Sequence, residues 1–210
     1  MINNRLALLG IDGSGKSTMS KVIKEHLEEL GYIVTIVPFH KWVIADKLRN
    51  LFGGVVDKGR QDRNSQYSPP PKSFSAKIKP PIAFLDNILF YKMNAPKSDK
   101  EIYIYDRFIS ATQIKFKGLG YSNSWFKKLW WSYKPDLAIV FNVDVDVSVK
   151  RQHSRNDPYA YTKEILEIEK EMYLRYAEHH NFPIVESKDI ETTKDAVLKI
   201  IDSNYNRFTE

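Results

Sequence analysis

The stretch Gly-Ile-Asp-Gly-Ser-Gly-Lys-Ser-Thr at positions 10–18 constrains this chain more than any other. It satisfies the pattern G-x-x-x-x-G-K-[ST] and lies between an apolar run at 5–9 and a segment with helical spacing of apolar residues. Glycines allow consecutive backbone N–H groups to turn inward around an anion, and the following helix contributes its positive dipole end. The sequence therefore predicts a phosphate cradle between a buried strand and a helix.

The side chains of this motif have separate predicted roles. We expect Lys16 to reach the β and γ phosphates of a bound nucleotide, and the Ser17 hydroxyl to ligate Mg²⁺. The predicted nucleotide contacts are Asp12, Gly13, Ser14, Gly15, Lys16, Ser17 and Thr18.

The rest of the chain alternates strand-like and helix-like segments. Apolar runs predict strands at 5–9, 33–37, 102–105, 137–141 and 183–185. Apolar residues three and four apart predict helices at 16–30, 81–93, 125–131, 145–152, 162–180 and 193–201, and a further one at 43–51. This alternation predicts an α/β domain over 1–210 with a parallel sheet that is covered on both faces.

Composition excludes several classes of protein. The 210 residues include no Cys, which rules out a disulfide scaffold, a cysteine nucleophile and a zinc site built on thiolates. No run of 18 apolar residues occurs. We expect a cytoplasmic protein without a membrane partner.

The formal net charge of +6 is concentrated in the segment 57–81. Six Lys and Arg residues stand there against two Asp residues, among the prolines Pro69, Pro70, Pro71, Pro80 and Pro81. Proline lacks the backbone donor that regular structure needs, so we expect no regular helix in this segment. It is interpreted as a solvated basic loop, a flap that closes over phosphates, or a nucleic-acid patch.

Charged residues follow two of the predicted strands. Asp106 could orient Mg²⁺ or its water, and Arg107 could neutralise a phosphate bidentately; the alternative is a surface ion pair at a strand end. Arg151 and Arg155 begin a segment at about 151–161 that could deliver arginines over the phosphates as a lid. An ordinary solvated basic face is the alternative for that segment.

The chain resembles the thymidylate kinase family of P-loop nucleoside monophosphate kinases over nearly its whole length. The resemblance rests on the motif at 10–18, Tyr-Asp-Arg-Phe at 105–108, Lys-Pro-Asp-Leu-Ala-Ile-Val-Phe-Asn-Val-Asp at 134–144, the basic lid after it, and a strand and helix from 183 onward. It implies a three-layer P-loop NTPase fold with a five-stranded parallel sheet of order 2-3-1-4-5 and helices on both faces. It also implies Mg-ATP as phosphoryl donor and a nucleoside monophosphate as acceptor.

The resemblance implies roles for individual residues as well. Asp12 looks like the family's carboxylate that approaches the acceptor sugar and phosphate. The P-loop carries Gly13 where some members have arginine, and this resembles members whose catalytic arginine comes from the lid. The residues expected to act in catalysis are Lys16, Asp106, Arg107, Arg151 and Arg155, with Ser17 and Asp106 at the metal.

The departures from the family fall in the expected acceptor pocket. After the second strand, Lys41 ranks ahead of His40 as a phosphate contact. Ala83 and Asn87 stand where the family usually has the phenylalanine and arginine that hold the base, and Phe84 lies beside them. At position 115, where the family has an aromatic residue at the deoxyribose edge, the chain has lysine. The expected acceptor contacts are Asp12, Lys41, Phe84, Asn87 and Arg107, and thymidylate is expected to be a poor acceptor.

Two further interpretations of the chain stay open at this point. One is a small-molecule or nucleoside kinase in which Asp12 or Asp106 acts as base on a hydroxyl. The other is a nucleic-acid-associated NTPase, although the sequence offers no second ATPase module or recognition helix to favour it. A stripe of aromatic residues around Trp125, Leu129 and Trp130 indicates core packing or a subunit contact, which leaves a homodimer open.

Overall fold

The computed structural model describes residues 4–38, 74–121, 127–154 and 161–205, with only the backbone described at 74–79 and 127. The described strands are β1 (Arg5–Leu9), β2 (Ile33–Val37), β3 (Glu101–Asp106), β4 (Leu137–Asn142) and β5 (Ile184–Glu186). The described helices are α1 (Lys16–Glu29), α2 (Phe74–Met93), α3 (Ile109–Gly118), α4 (Lys127–Ser132), α5 (Val145–Ser154), α6 (Lys163–His180) and α7 (Ile190–Tyr205).

The five strands form one parallel sheet in the order β2-β3-β1-β4-β5, which confirms the predicted fold class and strand order. In the register, Leu8 lies opposite Asp106 and Leu9 opposite Val140. The carboxyl ends of β1, β3 and β4 therefore meet at one edge of the sheet. The 10–18 loop leaves β1 at this edge, where ligands of open α/β sheets bind.

Alternate residues of β1 enter two different cores, as the strand period of two requires. Leu6 and Leu8 pack with α1 and α7, whereas Ala7 and Leu9 pack with α2, α3, α4 and α6. Both faces of the central strand are thus buried, which explains its uninterrupted apolar sequence. Burial on both faces also fixes β1 firmly, and with it the start of the 10–18 loop.

Helix α1 directly follows this loop. Gly15 precedes its first residue with φ +91°, a left-handed conformation that glycine adopts without steric cost. Met19, Ile23 and Leu27 repeat every four residues and are all buried. The buried stripe holds the helix against the sheet, so its N-terminus is aimed at the strand edge.

Two helices differ from the sequence-based expectation. Helix α2 begins at Phe74 and not at Pro81, so the end of the 57–81 segment is helical after all. Each proline costs a backbone hydrogen bond, but packing compensates here: Pro80 is buried, as are Ala83 and Phe84 one turn later. Helix α3 was not predicted, because it is buried on nearly all sides and shows no apolar stripe.

Several predicted segments lie outside the described residues. They are the helix at 43–51, the part of the basic segment at 57–73, and residues 155–160 of the expected lid. Among the residues that the structure describes, no helix is long and apolar enough to cross a membrane.

Candidate active site

The 10–18 loop is shaped by glycines that touch neighbouring backbone. At Gly10, with φ +140°, a Cβ atom would lie 2.7 Å from the carbonyl oxygen of Phe141 on β4. At Gly13, with φ +79°, it would lie 2.9 Å from the carbonyl oxygen of Ser148 on α5. A side chain at either position would collide with backbone, so arginine does not fit where Gly13 stands. This supports the expectation that a catalytic arginine comes from elsewhere in the chain.

The Lys16 ammonium lies inside the loop and is buried. It donates hydrogen bonds to the carbonyl oxygens of Gly10 at 3.0 Å and Ile11 at 2.7 Å, and to the Ser14 hydroxyl at 3.2 Å. These bonds place a fixed positive charge at the centre of the cradle. That is the position from which an ammonium can contact the transferring phosphate.

Ser17 and Asp106 come together as the metal assignment requires. The Ser17 hydroxyl donates to Asp106 Oδ2 at 3.2 Å. Asp106 Oδ1 is buried and has no hydrogen-bond partner among the described residues. Mg²⁺ takes oxygen ligands and is usually held by one or two protein groups together with substrate phosphates. The orphaned carboxylate oxygen beside a hydroxyl therefore fits a magnesium ion that ATP accompanies.

Arg107 directly follows β3 in a left-handed backbone conformation, with φ +78°. A non-glycine residue rarely adopts this conformation unless its surroundings enforce it. Its N–H donates to the Leu8 carbonyl at 3.0 Å, and its own carbonyl accepts from the Tyr91 hydroxyl at 3.0 Å. The turn brings its guanidinium onto the carboxylate of Asp12. The structure thus joins two predicted site residues that are 95 positions apart.

Lys115 on α3 adds a second cation to the same carboxylate. Its ammonium lies 3.3 Å from Asp12 Oδ2 and 3.3 Å from Glu169 Oε1, and 3.4 Å from the ring centre of Tyr161. Burial lowers the pKa of Lys115 below its ordinary value, whereas the Glu169 carboxylate opposes that shift. Arg107 and Lys115 therefore flank Asp12 beside the phosphate cradle.

Arg151 anchors the cradle from α5. Its guanidinium donates to the carbonyl oxygens of Gly13 at 3.1 Å and Lys188 at 2.9 Å. The Ser187 hydroxyl, in the same loop after β5, donates to the Ser14 carbonyl at 2.9 Å. The predicted lid arginine thus links the P-loop to the loop after β5, and its direct action on phosphates stays a prediction.

The sequence reasoning missed the polar side of α5 that faces the P-loop. Ser148 and Gln152 are buried, and both donate to the backbone carbonyl of Asp12. Together with Arg151 they occupy one helix face at spacings of three and four residues. This spacing of polar residues could have predicted the polar face of α5 from the sequence. For Glu169 the signal was a charged residue at a core position of α6.

The substituted acceptor positions lie on α2. Ala83 is buried, and the Asn87 side chain donates to the Ala83 carbonyl at 2.6 Å and accepts from the Thr112 hydroxyl at 3.2 Å. Phe84 packs edge-on against Trp130, with ring centres 4.9 Å apart. Asn87 is thus engaged in bonds within the protein and Phe84 in the core, so their contact with an acceptor stays a prediction.

The remaining predicted site residues are exposed, buried or outside the described residues. Thr18 is exposed at the start of α1, whereas Ser14 is buried in the loop. Lys41 and Arg155 lie outside the described residues, and their roles remain predictions. Trp130 and Trp131 are buried, which confirms core packing there, whereas Leu129 of the same predicted stripe is exposed; Trp125 lies outside the described residues.

Known proteins resemble the chain in sequence and in fold. No family model matches the chain. It is 31% identical over 213 residues to a probable thymidylate kinase 1 from Saccharolobus solfataricus, a match that covers 95% of this chain and 97% of that protein. It is 30% identical over 209 residues to a probable thymidylate kinase from Sulfolobus acidocaldarius, covering 95% and 96%.

A solved structure has the same fold. Thymidylate kinase from Candida albicans superposes with a TM-score of 0.68 at 16% identity, covering 98% of this chain and 93% of that one. The fold, the phosphate cradle and the sequence relatives all indicate the same family. The chain belongs to the thymidylate kinase family and is a phosphotransferase that carries out ATP-dependent phosphoryl transfer to a nucleoside monophosphate.

Proposed function

We propose that this chain moves the γ-phosphoryl of Mg-ATP onto the phosphate of a nucleoside monophosphate that lies between the 10–18 loop and α3. The observation that carries this proposal is that Asp12, in the loop whose backbone holds the Lys16 ammonium, pairs with Arg107. An acceptor-side cation and a donor-side cation therefore lie at the same edge of the sheet. Phosphoryl transfer brings two negatively charged phosphates together, and a cation on each side reduces their repulsion.

The protein's part in this chemistry is positioning and charge neutralisation. Lys16 holds the β and γ phosphates, and Arg107 can bind two oxygens of the acceptor phosphate bidentately once the acceptor competes for its bond to Asp12. Ser17 and Asp106 would hold Mg²⁺, which when bound neutralises charge on the phosphate oxygens. Arg155 and Arg151 are the candidates for charge stabilisation from the lid.

Thymidylate is not the preferred acceptor in this proposal, although the relatives carry its name. Ala83 offers no ring on which a base can stack, and Asn87 carries no charge to replace a guanidinium. The Asn87 amide already bonds to Ala83 and Thr112. An acceptor must then be held mainly by its phosphate and sugar, through Arg107, Lys115 and Lys41.

The product of the reaction tests this function. The protein is incubated with Mg-ATP and a panel of nucleosides and nucleoside monophosphates, and the products are identified by mass. We expect nucleoside diphosphates. Monophosphates formed from nucleosides would instead indicate a hydroxyl kinase, and ATP hydrolysis that rises with added DNA or RNA would indicate a nucleic-acid-associated NTPase.

The assembly and location of the protein are proposed on narrower grounds. Leu85, Leu89 and Met93 are exposed at four-residue intervals along α2, and this apolar stripe supports a homodimer. Sedimentation of the wild-type protein and of a Leu85→Lys/Leu89→Lys variant tests it, since only the variant should be monomeric. A cysteine-free chain that uses ATP fits the cytoplasm.

A further inference from the structure

Glu169 is the most deeply buried charged residue near the acceptor side of the site. Its side chain is 0% exposed, and its described charged partner is Lys115, 3.3 Å away. A carboxylate in such a place is costly unless a cation compensates it. The pair therefore needs an explanation beyond packing, because two apolar side chains would fill the same space at lower cost.

The chain makes room for this carboxylate. At Gly118, one turn beyond Lys115 on α3, a Cβ atom would lie 3.0 Å from Glu169 Cγ and 3.3 Å from Oε1. A glycine in the last turn of a helix lowers helix stability relative to alanine. Glycine here allows α6 to bring its carboxylate up to Lys115.

The ammonium of Lys115 connects Glu169 to the acceptor side of the site. It lies at equal distances of 3.3 Å from Glu169 Oε1 and Asp12 Oδ2, and Asp12 in turn pairs with Arg107. The two carboxylates and two cations balance in charge. Without Glu169 the trio of Asp12, Arg107 and Lys115 would carry a net positive charge, and the ammonium would be free to move away from Asp12.

We propose that Glu169 is a positioning residue of the acceptor half: it holds the Lys115 ammonium on Asp12 and thereby fixes Asp12 relative to Arg107. This inference rests on the proposed function, in which Arg107 and Lys115 hold the acceptor and Asp12 pairs with both of them. Glu169 itself touches no substrate. Its effect on the reaction is transmitted through Lys115.

The test separates stability from acceptor kinetics in four proteins. They are the wild type, Glu169→Gln, the apolar pair Lys115→Met/Glu169→Leu, and the control Glu171→Gln, which makes the same change at an exposed position of the same helix. Each is measured for thermal unfolding, for kcat and KM with Mg-ATP, and for kcat and KM with the monophosphate that gives the highest kcat/KM with wild type.

We expect kcat/KM for the acceptor to fall by about tenfold to a hundredfold in Glu169→Gln, with KM for ATP changed by less than about twofold. The apolar pair also lacks the acceptor contact Lys115, so its acceptor kcat/KM should fall at least as far. The apolar pair should be more stable than Glu169→Gln, because it leaves no unpaired charge. The control should match wild type. If the apolar pair folds and its acceptor kcat/KM is within about twofold of wild type, the Lys115–Glu169 ion pair only fills space in the core. Equal losses of kcat/KM for ATP and for the acceptor would also overturn the proposal.

The pH profile gives a second readout that simple packing would not move. The groups facing the Lys115 ammonium are Asp12 from the 10–18 loop, Arg107 after β3, Tyr161 before α6 and Glu169 on α6. Removing the Glu169 charge lowers the pKa of Lys115 further, so the alkaline decline of acceptor kcat/KM should move to lower pH in Glu169→Gln. An unmoved profile would overturn the proposal. If wild type converts no monophosphate, the proposed function fails too; if wild type is active and the variants match it, only this inference fails.

Discussion

The donor half of the proposed site is formed mainly by backbone, whereas its acceptor half is formed by side chains. The donor half consists of one continuous glycine-rich loop, in which the backbone carbonyl oxygens of Gly10 and Ile11 accept hydrogen bonds from the buried Lys16 ammonium. The proposed acceptor half would be assembled from side chains on the loop, on α2 and α3, after β3 and on α6. Backbone geometry leaves little choice of residue, whereas a side-chain pocket can change one residue at a time. The chain carries the complete motif of the first, and the departures from its family that the sequence predicts fall in the second.

The largest effect should follow from Lys16→Ala, which removes the fixed charge at the centre of the donor half. Turnover should fall by about 10³-fold or more, because the transferring phosphate loses its closest cation. Steady-state kinetics measure it, and circular dichroism checks the fold. Lys24→Ala, on the exposed side of the same helix, is the control and should keep normal turnover. A folded Lys16→Ala protein with near-normal turnover would reject the donor assignment.

The lid arginines should differ from each other. Arg155→Ala should lower kcat by about 10³-fold with little change in ATP affinity, as expected of an arginine that stabilises transition-state charge. Arg151→Ala should cost about tenfold to a hundredfold and raise KM for ATP, because it untethers Gly13 and Lys188. Equal and small losses in the two variants would favour a solvated basic face.

Gly13→Ala should lower the free energy of unfolding by about 2–3 kcal/mol, since its Cβ atom meets the Ser148 carbonyl and its backbone is left-handed. The control is Gly31→Ala, where φ is +87° but nothing lies within 4 Å of the added atom. That variant should lose only the conformational part, about 1 kcal/mol. Denaturant unfolding measures both. Equal losses would mean that the close approach of α5 to the loop is not what requires glycine.

The smallest effect should come from Asn87→Leu, which removes the amide that bonds to Ala83 and Thr112. We expect a loss of about 1–2 kcal/mol in unfolding free energy, because the Thr112 hydroxyl is left buried without its acceptor. Adding Thr112→Val should restore part of the lost unfolding free energy. The acceptor KM should rise by less than about tenfold. A much larger rise would make Asn87 a principal base contact.

Much of the fold was predictable from local sequence. The strand at 33–37 matches its predicted bounds, and the predicted strand at 137–141 differs by one residue, because short runs rich in apolar and β-branched residues mark strands well. Helix α3 was not predictable in this way. It buries polar Ser110, Thr112 and Gln113 along with apolar residues, so its sequence lacks a periodic pattern.

The same division holds in the candidate site. The phosphate cradle was predictable because its residues are contiguous and their spacing is dictated by backbone geometry. The link from Asp12 through Lys115 to Glu169 was not, since three separate segments must fold together before their charges meet. Only the unusual placement of Glu169 among core residues of α6 hinted at it.

Relative kcat/KM values for a set of nucleoside monophosphates, measured at saturating Mg-ATP, test the contrast between the two halves most directly. Thymidylate stands in this set beside the other deoxyribonucleotides and the ribonucleotides. We predict phosphoryl transfer to at least one of them, with thymidylate lower than the best acceptor by about two orders of magnitude, because stacking and a charged hydrogen bond are missing. Thymidylate preferred over every other monophosphate would contradict the altered acceptor half.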